Sequence, residues 1–190
     1  MVLLHVPRVC WSIVRGLAQQ RGAVGRPAHY GFSREAPHVY HARVNALLDA
    51  DQFLHMNNAS YLVHAELARW EMGMAGGQAV GTARMGAAFI VASTTMRFRR
   101  ELRPLQAFEI HSSMAAADER SMWFLQTFHS RGDKVAGGIC RAVLRKGRSV
   151  VEPQAFLASL GVTADVRSQL RDAVPNSEHE ALGVLERALA

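Results

Sequence analysis

The sequence predicts an α+β domain in which one long helix packs on an antiparallel sheet. Three observations predict it. A single strand-like run is followed by one sustained helical stretch. Four strand-like runs then succeed one another, joined by short turns. No alternation of strand and helix suggests a parallel sheet.

Residues 38–48 alternate roughly, with Val44 and other apolar side chains spaced by two, which reads as the first strand. A polar cluster from Asp49 to Asn58 breaks it. Residues 59–75 read as the helix: Tyr61, Leu62, Ala65, Leu67, Ala68 and Met72 recur at spacings of three and four. Asn57 or Asn58 caps its start. Gly73, Gly76, Gly77 and Gly81 end it and make a mobile connection.

Residues 87–103 open on a continuous apolar run. They finish by alternating Met96, Phe98 and Leu102 with Arg97, Arg99 and Arg103. Residues 106–117 alternate through Phe108, Ile110 and Met114, and Asp118-Glu119-Arg120 form a hairpin turn. Residues 121–130 put Trp123, Leu125, Thr127 and His129 on one face, Phe124 and Phe128 on the other. Arg131 to Lys134 form a second tight turn. Residues 135–145 are the last run, and the paired Gly137-Gly138 inside it predict a bulge or a close backbone approach. Helix-like stretches at 154–160, 164–173 and 177–189 complete a helical tail, with Pro153 and Pro175 near the starts of two of them.

The 190 residues suit one domain with extensions, and 49% apolar residues allow a buried core. The two cysteines, Cys10 and Cys140, form no metal knuckle or disulfide framework, and a reducing compartment is the simplest reading. No apolar run is long enough to span a membrane. The net charge of +6 is localised. Residues 1–34 carry Arg8, Arg15, Arg21, Arg26 and Arg34 and no acid. Removing those five from the 22 Lys and Arg leaves 17 against 16 Asp and Glu. The domain itself therefore lacks the basic excess of a nucleic-acid binder. An arginine-rich, acid-free N-terminus has the composition of a mitochondrial targeting segment. Arg8 and Arg15 share a helical face, with Leu4, Trp11 and Val14 on an opposing apolar stripe. The chain divides into a targeting segment or basic arm (1–34), a folded domain (35–150) and a helical C-terminal extension (151–190).

Asp49, Asp51, His55, Asn57 and Asn58 crowd into the loop between strand and helix. A helix start presents free N–H groups and favours negative charge. It is therefore suited to stabilise an oxyanion, and a nearby carboxylate can attack a carbonyl or activate water. The bland readings stand beside these. Asp49 and Asp51 can build an Asx-turn; His55 can orient the loop; Asn57 and Asn58 can be caps only. The histidines show no ligand-type i, i+4 pairing, so no metal is expected.

The run Asp49-x-Asp51-x-x-x-His55-Met56-Asn57-Asn58-x-x-Tyr61 resembles the signature of hot-dog thioesterases of the 4-hydroxybenzoyl-CoA type. The resemblance extends to about residue 146 through Ala92-Ser93, Arg97 to Arg100 and Phe108-Glu109-Ile110. It is nearest to the proteins related to thioesterase superfamily member six. It implies a hot-dog fold, a curved antiparallel sheet wrapped around one long helix, and a homodimer with acyl-CoA sites at the interface. It implies Asp51 as nucleophile or general base, and an oxyanion-stabilising N–H near Asn58. His55 and Asn57 would shape the loop. Glu66 is the acid some relatives use on the helix; the structural alternative is a pair with Arg69. Many active relatives have Gly where this chain has Leu54, whose side chain is expected to crowd the thioester site. Asn57 and Tyr61 would line the substrate site. Arg97, Arg99 and Arg100, with Arg103, would hold CoA phosphates or an acidic carrier protein, unless they simply solvate the outer sheet face.

The expected function is hydrolysis of acyl-CoA or acyl-carrier thioesters in the mitochondrial matrix, within lipid metabolism and without metal or redox cofactor. The alternative is a non-catalytic hot-dog subunit of a large mitochondrial assembly: a ribosome, respiratory complex or ATP synthase.

Overall fold

The computed structural model describes residues 2–21, 30–32, 36–173, 175 and 178–190. Of the targeting reading, Arg26, Arg34 and the side chains of Leu4 and Arg21 lie outside the described residues. The elements are α1 (Val2–Arg21), β1 (His38–Arg43), α2 (Asn58–Ala75), α3 (Gln78–Arg84), β2 (Ala88–Phe98), β3 (Ala107–Ala117), β4 (Met122–Ser130), β5 (Asp133–Lys146), β6 (Ser149–Val150), α4 (Pro153–Ser159), α5 (Ala164–Asp172) and α6 (Glu178–Leu189).

The sheet order is β1-β3-β4-β5-β2, all antiparallel, with β6 on β5. β1 and β2 are consecutive strands, yet they occupy opposite edges. The segment joining them must cross the whole sheet, and α2 is that crossing. This is the architecture expected from the resemblance: one long helix against an antiparallel sheet.

Two corrections concern boundaries. The first strand ends at Arg43 rather than residue 48, because Asn45 Oδ1 accepts the N–H groups of Leu47 and Leu48 and turns the chain. The expected mobile glycine connection holds α3 instead. Gly77 supplies a left-handed residue (φ 76°) before it, and Gly81 sits inside it where the Leu160 side chain leaves no room for a Cβ.

α2 is buried on two sides. Tyr61, Ala65 and Ala68 face the sheet and its core of Phe108, Ile110 and Phe128, and Met72 packs in a second cluster with Met114 and Phe124. Ser60, His64 and Glu71 are buried as well, and the last two meet α1. A third side, with Leu62, Glu66 and Trp70, is left for the candidate site. The opposite face of the sheet carries α6, whose Leu185 and Leu189 lie against Gly137. A Cβ there would come within 2.9 Å of Leu189. The close approach predicted from the glycine pair is thus real, and the occupant is the C-terminal helix.

α1 crosses α2 at Gly16. A Cβ on Gly16 would meet the Glu71 carbonyl oxygen and Met74 Cβ at 2.6 Å. Backbone and Cβ cannot yield as a side-chain tip can. Gly16→Ala is therefore expected to destabilise the chain by about 1–3 kcal/mol, although alanine favours an isolated helix. Denaturant unfolding measures this; a stabilised variant would mean that α1 does not dock as described.

Candidate functional site

The motif loop is built by its own aspartates. Asp49 is 1% exposed. Its Oδ2 accepts the Asn45 N–H at 2.9 Å, and its carbonyl accepts the Asn57 N–H at 2.7 Å. His64 Nε2 lies 3.0 Å from Oδ2, and Arg8 of α1 donates to Oδ1 at 3.1 Å. Arg8 Nη2 also lies 2.8 Å from His64 Nε2. One ring nitrogen cannot donate to Asp49 and accept from Arg8 at once, so the two contacts compete. Burial alone would raise the Asp49 pKa. The hydrogen bond and charge of His64, the Asn45 N–H and the Arg8 charge outweigh burial and hold it below 3.8. Tyr40, whose hydroxyl is 3.5 Å from His64 Nδ1, is pushed up to about 12, mainly by burial.

A second buried acid follows the same pattern. Gln19 donates to Glu71 at 2.8 Å, and Arg15 and His38 each lie 3.4 Å from its carboxylate. The arginines that share a face in the sequence thus share it to neutralise acids under α1. Trp11 and Val14, on the opposing stripe, face outward.

Asp51 is set differently. Its Oδ1 accepts the N–H groups of Phe53 (2.9 Å) and His55 (3.2 Å), which is the Asx-turn. Among the described residues, its Oδ2 has no hydrogen-bond partner. His55 turns its ring away to Glu101, 2.9 Å from Nε2. Asn57 caps α2, its Oδ1 accepting the Ala59 N–H at 2.8 Å. The N–H groups of Ser60 and Tyr61 bond the Asn57 carbonyl. The Asn58 N–H is left without a partner among the described residues. Leu54 stands at φ 60°, the left-handed region that glycine adopts freely, and it is 68% exposed. Its side chain is exposed beside the motif loop.

One turn beyond Asn58 a cavity of about 820 Å³ opens between α2, α3 and β2. Leu62, Met72, Phe89, Val91, Phe124 and Ala142 are among its apolar lining residues, and Glu66 and Arg69 are its charged ones. Asp51, His55 and Asn57 are not on that wall. Glu66 does not pair with Arg69. It faces His5 of α1 at 3.3 Å and accepts from Trp70 Nε1 at 3.4 Å. Arg69 donates to Gln126 at 2.6 Å, and Gln126 donates on to the Ala65 carbonyl and Ser112. Sequence reading missed Gln126 because its partners, Arg69, the Ala65 carbonyl and Ser112, come from other elements. Tyr61 lies in the core beside Phe98 and Phe128, with its pKa pushed up to about 12 by burial. The arginine cluster is engaged within the chain: Arg97 with Glu186, Arg99 with the Leu189 carbonyl, Arg100 with Asp133 and Arg103 with Glu101.

The chain belongs to the thioesterase-like superfamily, whose family model matches residues 46–170. Among curated relatives, it is 35% identical over 127 residues to the protein THEM6 of Danio rerio, covering 66% of this chain and 60% of that protein. To THEM6 of Xenopus laevis it is 30% identical over 91 residues, covering 48% and 44%. The chain thus matches less than two thirds of the length of these relatives. Solved structures agree in fold. A gentisyl-coenzyme A thioesterase superposes with a TM-score of 0.56 at 17% identity, covering 66% of this chain and 99% of that one. The probable thioesterase YbaW of Escherichia coli gives 0.57 at 21%, covering 72% and 98%. The fold is the hot dog, α+β with a C-terminal helical extension.

Two outcomes are expected. The stability that Asp49 supplies is complete above its unfolded value of 3.8 and is lost as pH falls through its lowered folded value. Asp49→Asn should lose about 1–3 kcal/mol at pH 7, because the buried loop loses its charged acceptor while the partly exposed Arg8 keeps access to water. It should also lose less than the parent between neutral and strongly acid pH, as urea midpoints at both would show. Leu54→Gly should raise stability by up to about 1 kcal/mol, since left-handed backbone costs a non-glycine residue roughly 1–2. A lower melting temperature would contradict that.

Proposed function

We propose that the protein hydrolyses acyl-CoA or acyl-carrier thioesters as a homodimer in the mitochondrial matrix. The observation that carries the reading is the unbonded Asn58 N–H at the start of α2, one turn before the apolar cavity. The acyl chain occupies that cavity, and the thioester carbonyl oxygen meets the Asn58 N–H. Asp51, through its free Oδ2, takes a proton from water as the water oxygen attacks the carbonyl carbon; in the alternative it attacks the carbon itself, the thiolate leaves, and water then hydrolyses the acyl-aspartyl anhydride to free the acid. The negative charge that develops is stabilised at the helix start. The carbon–sulfur bond then breaks, and the thiolate leaves and is protonated by solvent. Glu66, already on the cavity wall, is the alternative base. No metal or redox cofactor takes part in this scheme.

Dimer formation is supported by β2. It is an edge strand of 11 residues with Ile90, Val91 and Phe98 exposed, and such an edge invites pairing with a second copy. The mitochondrial location is supported by the arginine-rich, acid-free first 34 residues. The packing of α1 on α2 favours an arm retained in the folded protein. A non-catalytic role within a large assembly is supported by a different observation. Asp51 is locked in its turn and stands off the cavity wall.

The full chain assayed on a panel of acyl-CoA chain lengths should show turnover. Asp51→Asn should lower kcat by roughly 10²–10⁴-fold, with Glu66→Gln affected far less. The reverse order would move the base to Glu66. No turnover at any chain length, with folding verified, would sink the hydrolase and leave the assembly subunit, for which co-sedimentation with a large particle is expected. Val91→Lys should convert a dimer to monomer in analytical ultracentrifugation.

A further inference from the structure

The cavity beside α2 is apolar along most of its length and polar where α2 ends. On α2 its lining runs from Leu62 to Gly73. From Asn58 to Gly73 the helix measures about 22 Å. α2 stops at Gly76, and Gly77, left-handed at φ 76°, turns the chain directly into α3. Gln78 opens α3, and the turn brings it back onto the cavity wall, together with Thr82. The two stand four residues apart and share one side of α3. Gln78 is 2% exposed and Thr82 7%.

Gln78 Nε2 is buried and has no hydrogen-bond partner among the described residues. A Cβ added at Gly76 would lie 3.6 Å from it, so the amide sits against the last turn of α2 and away from bulk water. An unpaired buried amide is costly, and folded proteins keep few of them. The other buried atoms of this kind have a different setting. His38 Nε2 faces the Glu71 carboxylate at 3.4 Å, and Trp123 is not on the cavity wall. Thr82 complements Gln78. Its hydroxyl donates to the Gln78 carbonyl at 2.8 Å, which uses its proton and leaves its oxygen able to accept. This end of the cavity therefore offers one amide donor and one hydroxyl acceptor within a single turn of helix.

We propose that the cavity selects long acyl groups that carry a hydroxyl at their far end, and that Gln78 and Thr82 make the selection. The inference rests on the acyl chain lying along α2 from the Asn58 N–H, as in the proposed function. The hydroxyl oxygen accepts from Gln78 Nε2, and its hydrogen is donated to Thr82 Oγ1. A plain hydrocarbon tail leaves the amide unpaired. A site made to bond a hydroxyl rejects the analogue without it far more strongly than an apolar pocket rejects a change of length. A terminal carboxylate fits worse, because it would be buried as an anion. Arg69, the basic residue of the cavity, is bonded to Gln126 and stands two turns of α2 before Gly76.

The test is the affinity of the full chain for three CoA analogues in which a methylene separates sulfur from carbonyl, so that none can be hydrolysed. Their chains are palmitoyl, ω-hydroxypalmitoyl and the matching ω-carboxylate. The ω-hydroxy analogue should bind roughly tenfold or more tightly than the plain one, and the carboxylate weakest. Gln78→Leu should abolish the preference, and Thr82→Val should reduce it. Gln78→Leu removes an unpaired buried group, so its melting temperature should not fall; if that variant does not fold, Thr82→Val decides. Equal affinities in the parent, a preference for the carboxylate, or a hydroxyl preference that survives both variants overturns the inference. Turnover of the corresponding thioesters is read separately. Selective binding without turnover would sink the hydrolase and keep this selectivity; turnover without selectivity would do the reverse. Binding of none of the three overturns the inference.

Discussion

Much of the structure depends on how one buried carboxylate is neutralised. Asp49 holds the motif loop through Asn45 and Asn57, meets α2 through His64 and meets α1 through Arg8. An unpaired charge at that depth would cost several kcal/mol. The loop, the helix start and the N-terminal helix are therefore coupled. Glu71, about two turns further along α2 than His64, repeats the device with Gln19, Arg15 and His38. The basic composition of the N-terminus acquires a structural meaning from this: two of its arginines are counter-ions of buried acids.

The coupling has a consequence for the candidate site. The motif divides its labour between two neighbouring aspartates. Asp49 is consumed by architecture. Asp51 spends one oxygen on its turn and keeps the other free. The cap by Asn57 then leaves the Asn58 N–H unspent. On the cavity side, α2 presents Glu66 among apolar neighbours, with His5 of α1 beside it. The N-terminal helix thus reaches both ends of the candidate site, once by Arg8 and once by His5.

The C-terminal extension does comparable work on the other face of the sheet. α6 closes over Gly137 and draws Arg97 and Arg99 onto its own acceptors. The alternation in β2 was legible as a basic stripe; what it faces was not, because strand parity assigns a face and not the element that covers it. The same limit explains Glu66. Its spacing to Arg69 was legible, but Gln126 from a distant strand takes the arginine and His5 faces the acid.

The sequence by itself determined the order strand, helix, meander and helical tail, because periodicity and turn residues are local. It also determined the helix start, since Asn57 caps through an atom two residues from its partner. Tertiary structure alone decided which polar residues are buried: His64 and Glu71 look like a solvated helix face until α1 lies across them. It alone decided that Asp49 is structural while Asp51 keeps a free oxygen, because that depends on Arg8 and His64 arriving from 41 and 15 residues away. Local spacing carries no record of such meetings; only the folded packing of charges brings them about.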